Sequence, residues 1–263
     1  MSAQEYATTL DGAIQPLDSA LKALAKASAY KGLEGRVTAV EKAADQAVTE
    51  LTEITPPAEV TAEHSQLLTA LEGFQEEVAK VSAQVHDRAL CTGWATRRGL
   101  GNADQTSALR GALAAVSDKL PDGPYTLTLP PAGQKPGPRL RNGELIRAGN
   151  LDGQGQLTIK SGGSDSVLTL SEGGKAAASV FVRKGKQATV KGVPDGSYTV
   201  FFTGGSLWDG KARAFGRNCA FQRFDDRLKF AYPAKPGYII TLKVAVGGNA
   251  STKDVDPDDF PDS

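Results

Sequence analysis

The sequence predicts an α+β chain in two parts, an N-terminal antiparallel four-helix bundle and a C-terminal antiparallel β-sandwich of about seven strands. Three observations carry that reading. Apolar residues step by three and four through the first 120 positions, they alternate from Gly143 onward, and residues 121–142 in between hold six of the 14 prolines. The boundaries are therefore 1–120 for the bundle, 121–142 for a Pro/Gly-rich linker, 143–250 for the sandwich and 251–263 for an acidic tail.

The helical stripes come first. Leu10, Ile14, Leu17, Leu21 and Leu24 make one; Leu33, Val37, Val40, Ala44, Ala47, Leu51 and Ile54 make the next. Leu67, Leu71, Phe74, Val78, Val81 and Val85 make the third, and Leu109, Leu113, Val116 and Leu120 the fourth. A 3-4 rhythm puts these residues on one helix face, the seam of left-handed helix packing. Four such segments with short connections read as an antiparallel bundle. Ser2 with Glu5, and Asn102 with Gln105, have capping-box spacing. Pro56-Pro57 breaks the chain, and Pro57 suits the first turn of a helix expected to run to about Leu90. Pro16 lies inside the first pattern, where it either kinks the helix or starts it afresh. "TGWATRRGLGN" at 92–102 then brings three glycines and a change of period.

Residues 121–142, "PDGPYTLTLPPAGQKPGPRLRN", read as a partly extended, semi-rigid linker, with "YTLTL" alternating like a short strand. Beyond it, "GQLTIKS", "SVLTLSE", "ASVFVRKG", "QATVKGV", "SYTVFFTG", "CAFQRFDDRLKFA" and "YIITLKVAV" are separated by glycine-rich turns. Short alternating strands at that spacing indicate an antiparallel sandwich. In "VPDGSYTV", Pro194 sets φ, Asp195-Gly196 makes the turn and Tyr198 enters the next strand.

These motifs carry a resemblance. The run from "GQLTIKSG" through "GVPDGSYTVFFTGGSLWDG" and "FGRNCAFQRFDDRLKF" to "GGNAS" resembles a β-domain of actinobacterial proteins. "GVPDGSYTV" is also similar to the turn of transthyretin-like and carboxypeptidase-regulatory-like sandwiches. The helical half, with "ITPPAEVTAEHSQLLTAL", resembles the body of exported actinobacterial lipoproteins of unknown function. The resemblance implies the two-part architecture and a lipid-anchored cysteine upstream of residue 1, and it implies no activity.

Charge is distributed unevenly. Net charge is zero, yet residues 1–120 hold 16 acidic and 11 basic side chains, residues 121–250 hold 9 and 18, and the tail holds five aspartates and one lysine. The balance gives no reason to expect nucleic acid. No apolar run approaches the ~18–20 residues that span a bilayer. The start, "MSAQEYATTL", lacks the regions of a signal peptide. Either the protein is cytoplasmic or an export signal has been trimmed; Met1 is the only methionine and Ser2-Ala3 resembles a cloning junction, so the trimmed, exported form is expected.

Catalytic chemistry finds little support. His64 and His86 are 22 residues apart on one expected helix. That is about 33 Å along its axis, too far to share a metal or a proton. They read as exposed or rim histidines. No GxSxG occurs, and the β-region has no histidine to activate a serine. His86 and Cys91 are five apart, which is not facial on a helix. Asp209, Asp225 and Asp226 are the carboxylates a glycan hydrolase would need, but Asp225-Asp226 reads equally as a bend. "NLDGQGQ" at 150–156 and the acidic tail lack EF-hand spacing, and no metal or other cofactor is expected. The tail is expected to be loosely ordered unless Phe260 docks it on the sandwich.

Binding chemistry is better represented. Arg183, Lys184, Lys186 and Lys191 form one basic cluster, and Arg213, Arg217, Arg223 and Arg227 another, interleaved with Phe221, Phe224 and Phe230. Strand alternation turns Phe221 and Phe230 toward the core, leaving a basic face for an envelope protein, an anionic wall polymer, lipid head groups or the acidic helical part. Trp208 in "GGSLWDG" is either a sugar-stacking platform or a core plug. With Asp209, Arg213 and Arg217 it makes the candidate ligand site.

Cys91 and Cys219 are the only cysteines, one in each part. With no zinc partners, they are expected to form one disulfide tying bundle to sandwich in an oxidising compartment, the alternative being two buried thiols. The sequence thus predicts a non-catalytic binding or interaction protein at the bacterial cell envelope. The rival reading is a carbohydrate-binding or carboxylate-dependent glycan-processing protein using the β-region.

Overall fold

In the computed structural model, which describes residues 1–120, 125–242 and 252–261, helix α1 (Ala3–Ala25) opens on the predicted capping box. Ser2 Oγ accepts the Glu5 N–H at 3.2 Å, and the Glu5 carboxylate accepts the Ser2 N–H at 2.8 Å. The helix runs on through Pro16, so the proline does not restart it. α2 (Leu33–Thr52) follows, then a single 3₁₀ turn (Ala58–Val60) behind Pro57, then α3 (Thr61–His86). α1 packs on α2, α2 on α3, and α3 on α5 (Asp104–Ser117). The stripes are buried along their length in one core, from Leu10 and Leu17 through Val37, Leu51, Leu71 and Phe74 to Leu109 and Val116. Each such side chain gains about 1.5–3 kcal/mol from burial, which is why the 3-4 rhythm decides helix orientation.

A fifth helix, α4 (Gly93–Gly101), occupies the glycine-rich stretch. Thr92 caps it by accepting the Ala95 N–H at 3.2 Å. Its glycines serve close approach rather than chain breakage. A Cβ on Gly93 would collide with the Ala27 carbonyl, and one on Gly101 with the Pro131 carbonyl. From α4, Arg97 Nη1 donates to the Leu24, Ala25 and Ala27 carbonyls at 3.1–3.2 Å, satisfying the open C-terminal end of α1. The expected Asn102–Gln105 capping box is not formed. α5 begins behind Ala103 without a side-chain cap, and Asn102 Oδ1 instead accepts the Gly133 N–H at 2.8 Å.

The first part of the expected linker is no spacer. Residues 125–134 lie on the helices, and residues 121–124 of that segment are outside the described residues. Tyr125 is buried in the helical core, with Leu127 and Leu129 packed against it. Thr128 donates to Asp18 Oδ1 of α1 from both its N–H and its hydroxyl, at 2.8 and 2.7 Å. Ser117 and Arg110 of α5 bond the backbone of Tyr125 and Pro130. "YTLTL" therefore alternates as a strand would, but the Tyr125 and Thr128 N–H groups donate to side chains, the Leu129 N–H donates to the Leu127 carbonyl, and the segment is assigned to no sheet among the described residues. The chain divides into compact units Met1–Lys135 and Pro136–Ser263.

The described residues of the second unit hold ten strands: β1 (Leu145–Ala148), β2 (Gly155–Ser161), β3 (Asp165–Glu172), β4 (Lys175–Val182), β5 (Gln187–Val193), β6 (Gly196–Asp209), β7 (Ala214–Phe224), β8 (Leu228–Phe230), β9 (Gly237–Leu242) and β10 (Thr252–Asp254). Seven form one sheet, ordered β1-β4-β3-β6-β7-β10 with β8 also on β6, and three form a second, ordered β5-β2-β9. The large sheet is antiparallel, but β2 and β9 run parallel, which corrects the all-antiparallel expectation. A parallel pair needs a long crossover, and six strands separate these two in the chain. Residues 243–250, which include the end of the expected "YIITLKVAV" strand, lie outside the described residues.

Between the sheets sits a core of Leu157, Ile159, Val190 and Ile240 from the small sheet and Leu168, Leu170, Val180, Val182 and Val200 from the large one. Tyr198 is buried in it, and its hydroxyl reaches back to the Pro194 carbonyl at 3.2 Å, fastening the "VPDGSY" turn. The run "CAFQRFDDRLKFA" is two strands, with Asp225-Asp226 as the bend between them. The described part of the tail, residues 252–261, is held: β10 pairs with β7, and Phe260 packs edge-on against Phe201 and Phe221 at ring distances of 5.3 and 5.6 Å.

Candidate binding surface

The β6–β7 hairpin carries the residues singled out by sequence. Its turn is set by Asp209, whose Oδ1 accepts the N–H groups of Lys211 and Ala212 at 3.0 and 3.1 Å. Asp209 is 8% exposed and spent on the backbone, so it is a turn residue rather than an available carboxylate. Trp208 is 5% exposed and meets Phe181 and Phe215 edge-on at 5.5 and 5.3 Å. It is a core tryptophan, and the stacking platform is not formed. Strand alternation explains this, since Trp208 pairs with Phe215 and the two rings point to the same side.

Arg213 and Arg217 are exposed. Four non-glycine residues have positive φ among the described residues, and three lie on this hairpin: Leu207 at 55°, Arg213 at 51° and Asn218 at 52°. Each such residue costs about 1–3 kcal/mol, so strain is concentrated here. The pairing register also slips between Gly204 and Ser206. The rest of the basic clusters is partly engaged: Arg183 bonds the Leu140 carbonyl and Arg227 the Ser197 carbonyl. Phe221 and Phe230 are buried, as alternation predicts.

Neither cysteine is a free thiol; Cys91 and Cys219 are both disulfide-bonded. Cys91 lies in the connection between α3 and α4, beyond the helix end, and Cys219 lies within β7 rather than at its start. Both are buried, at 1% and 8% exposure.

His64 corrects the rim expectation. It is 5% exposed, its Nδ1 lies 2.9 Å from the Tyr6 hydroxyl, and it also bonds the Leu51 backbone. Burial holds it below the ordinary histidine value, against the opposing pull of that backbone bond. Burial likewise pushes the Tyr6 hydroxyl up to about 12. His86 is exposed and pairs with Glu34 at 2.9 Å, which raises it.

Two features escaped sequence reading. Asp165 accepts both a bidentate Arg139 guanidinium and the Lys184 N–H, pinning the segment before β1 to the sheet. Burial alone would raise this carboxyl, but Arg139 and Lys184 hold it below its usual range. On the outer face of the small sheet, the Thr158 and Thr189 hydroxyls meet at 2.9 Å. The alternate letters of "GQLTIKS" and "QATVKGV" were the available signal for that face.

A groove of about 510 Å³ between α3 and α5 is lined by small and polar residues, among them Ser65, Thr69, Gly73, Gln105 and Gly111. Among the described residues no group of three or more His, Cys, Asp or Glu side chains is placed to hold a metal, and no helix is long and apolar enough to cross a membrane. The chain matches no protein-family model, no curated protein and no solved structure.

Proposed function

We propose that this is a non-catalytic binding protein of the bacterial cell envelope, built from a helical bundle and a β-sandwich that fold as separate domains and carried outside the cytoplasm on an upstream lipid anchor. The observation that carries the reading is the β6–β7 hairpin. It combines backbone strain, a bonded cysteine and two exposed arginines on one element. Strain of this kind persists where the surroundings over-determine it, and it clusters at binding sites. Bonded cysteines favour an oxidising compartment. The basic bias of residues 121–250 favours an anionic partner, a wall polymer or an envelope protein, over nucleic acid. The resemblance to exported actinobacterial lipoproteins belongs to this proposal and supports the same compartment.

The glycan-processing alternative is less supported. Of its carboxylates, Asp209 is tied to a turn and Asp225 pairs with Lys253 at 3.1 Å. The test is cell fractionation of the full-length protein, followed by retention on isolated envelope material. Envelope location is expected, with retention reduced at least fivefold by R213E combined with R217E. A cytosolic protein, or retention indifferent to those changes, overturns the proposal.

A further inference from the structure

We propose that the outer face of the three-stranded sheet binds an extended anionic polysaccharide, an assignment of ligand class that rests on the envelope reading above. The face is defined by register. Leu157, Ile159, Val190 and Ile240 point into the core, so the residues between them point away. Its central row is Thr189–Thr158–Ile239 across the three strands. Lys191 beside Gln156 stands at one end and Lys160 beside Gln187 at the other. No acidic residue occurs on β2, β5 or β9.

The spacing of these groups selects the ligand. Neighbouring strands lie about 4.8 Å apart, and same-face residues recur at about 6.6–6.8 Å along a strand. That grid sets hydroxyl and amide groups at the scale of a hexose ring, where they match a dense array of sugar hydroxyls. Lys160 and Lys191 sit at opposite ends, about 14 Å apart by the same dimensions. They suit charge that recurs along a chain rather than one isolated charge. Nucleic acid carries a phosphate every ~3.4 Å of strand and is gripped by denser cations and by stacking rings, which this face does not present. A lipid surface takes a broad apolar insertion, and Ile239 is the single large apolar residue here. At 70% exposure, it offers the small patch that the C–H face of a sugar ring covers. Charge complementarity therefore favours a polysaccharide bearing carboxylate or phosphate groups.

The experiment titrates the full chain, isotopically labelled, with polygalacturonate and separately with neutral dextran of similar length, following backbone amide signals. Polygalacturonate is expected to shift residues of β2, β5 and β9, with dextran at least tenfold weaker. K160E combined with K191E should weaken polygalacturonate binding at least tenfold. R147E combined with K175E, an equal change of charge on exposed residues of the large sheet, should alter it less than threefold. No binding, equal loss in both double variants, or shifts confined to other elements overturns the assignment. The wild-type shift map stands as evidence even if the charge variants fold poorly. Envelope retention without polygalacturonate binding would sink this assignment alone. Polygalacturonate binding by a protein found in the cytosol would sink the envelope reading alone.

Discussion

The Tyr6 hydroxyl lies 2.9 Å from His64 Nδ1, joining α1 to α3 across 58 positions of sequence. Both residues are buried and their rings meet edge-on, 5.6 Å apart. His64 also bonds the Leu51 backbone, so the imidazole ties together three helices. Y6F keeps the ring and removes the hydroxyl, leaving a buried ring nitrogen without that partner. A loss of about 1–3 kcal/mol is expected. Urea unfolding followed by circular dichroism measures it, and a change below about 0.5 kcal/mol would show the bond to be energetically idle.

The two histidines of α3 impose opposite pH dependence. His64 is depressed in the folded state, so its stabilising contribution is complete above about pH 6.5 and is lost as pH falls below that value. His86 is raised by Glu34, so its contribution is present below about pH 6.5 and is lost as pH rises through the raised value. H64Q should therefore flatten the acid-side decline in stability, whereas H86Q should steepen it. Unfolding midpoints from pH 5 to 8 for both variants check the signs.

Two glycines on neighbouring helices should respond in opposite directions to alanine. A Cβ on Gly101 meets the Pro131 carbonyl, so G101A should cost about 1–3 kcal/mol and loosen residues 125–134. Gly111 in α5 has open space around the added carbon. G111A should stabilise by about 0.5–1 kcal/mol. Thermal melts of the full chain decide, and a neutral G101A would mean that the strip is not held against α4.

No free thiol should react in the denatured, unreduced protein, and two should react after reduction. The cysteines are 128 positions apart, so loop entropy gives the bond at most about 5 kcal/mol. The oxidised protein should run as a monomer on a non-reducing gel.

The docked end of the chain gives the last prediction. F260A removes two edge-on ring contacts, worth about 0.5–1.5 kcal/mol each. Amide exchange should quicken across β10 while the β3–β6 pairing stays protected. Unchanged exchange at residues 252–254 would mean that β10 holds without the ring.

Periodicity made the helical stripes and most strands legible, and it contained more than was taken from it. Tyr6 stands four residues before Leu10, and His64 three before Leu67, so both continue their stripes. Polarity disguised them as surface residues. α4 was hidden because glycine reads as punctuation when it serves close approach. Residues 125–129 alternated like a strand, yet period two says only that one side is buried, not what supplies the hydrogen bonds. The parallel β2–β9 pairing and the short β1, β8 and β10 depend on contacts far along the chain, which no local window contains. Trp208 went inward because its cross-strand partner is Phe215.

The parallel pairing of β2 with β9 also fixes an order of events. The two strands are roughly 80 residues apart, so β2 emerges from the ribosome long before its neighbour exists. Until then the small sheet consists of the β2–β5 pair alone, and Leu157 and Ile159 await Ile240 to complete their cover. The second unit therefore closes only once β9 has been synthesised. During that interval the half-covered apolar face of the small sheet is open to mispairing.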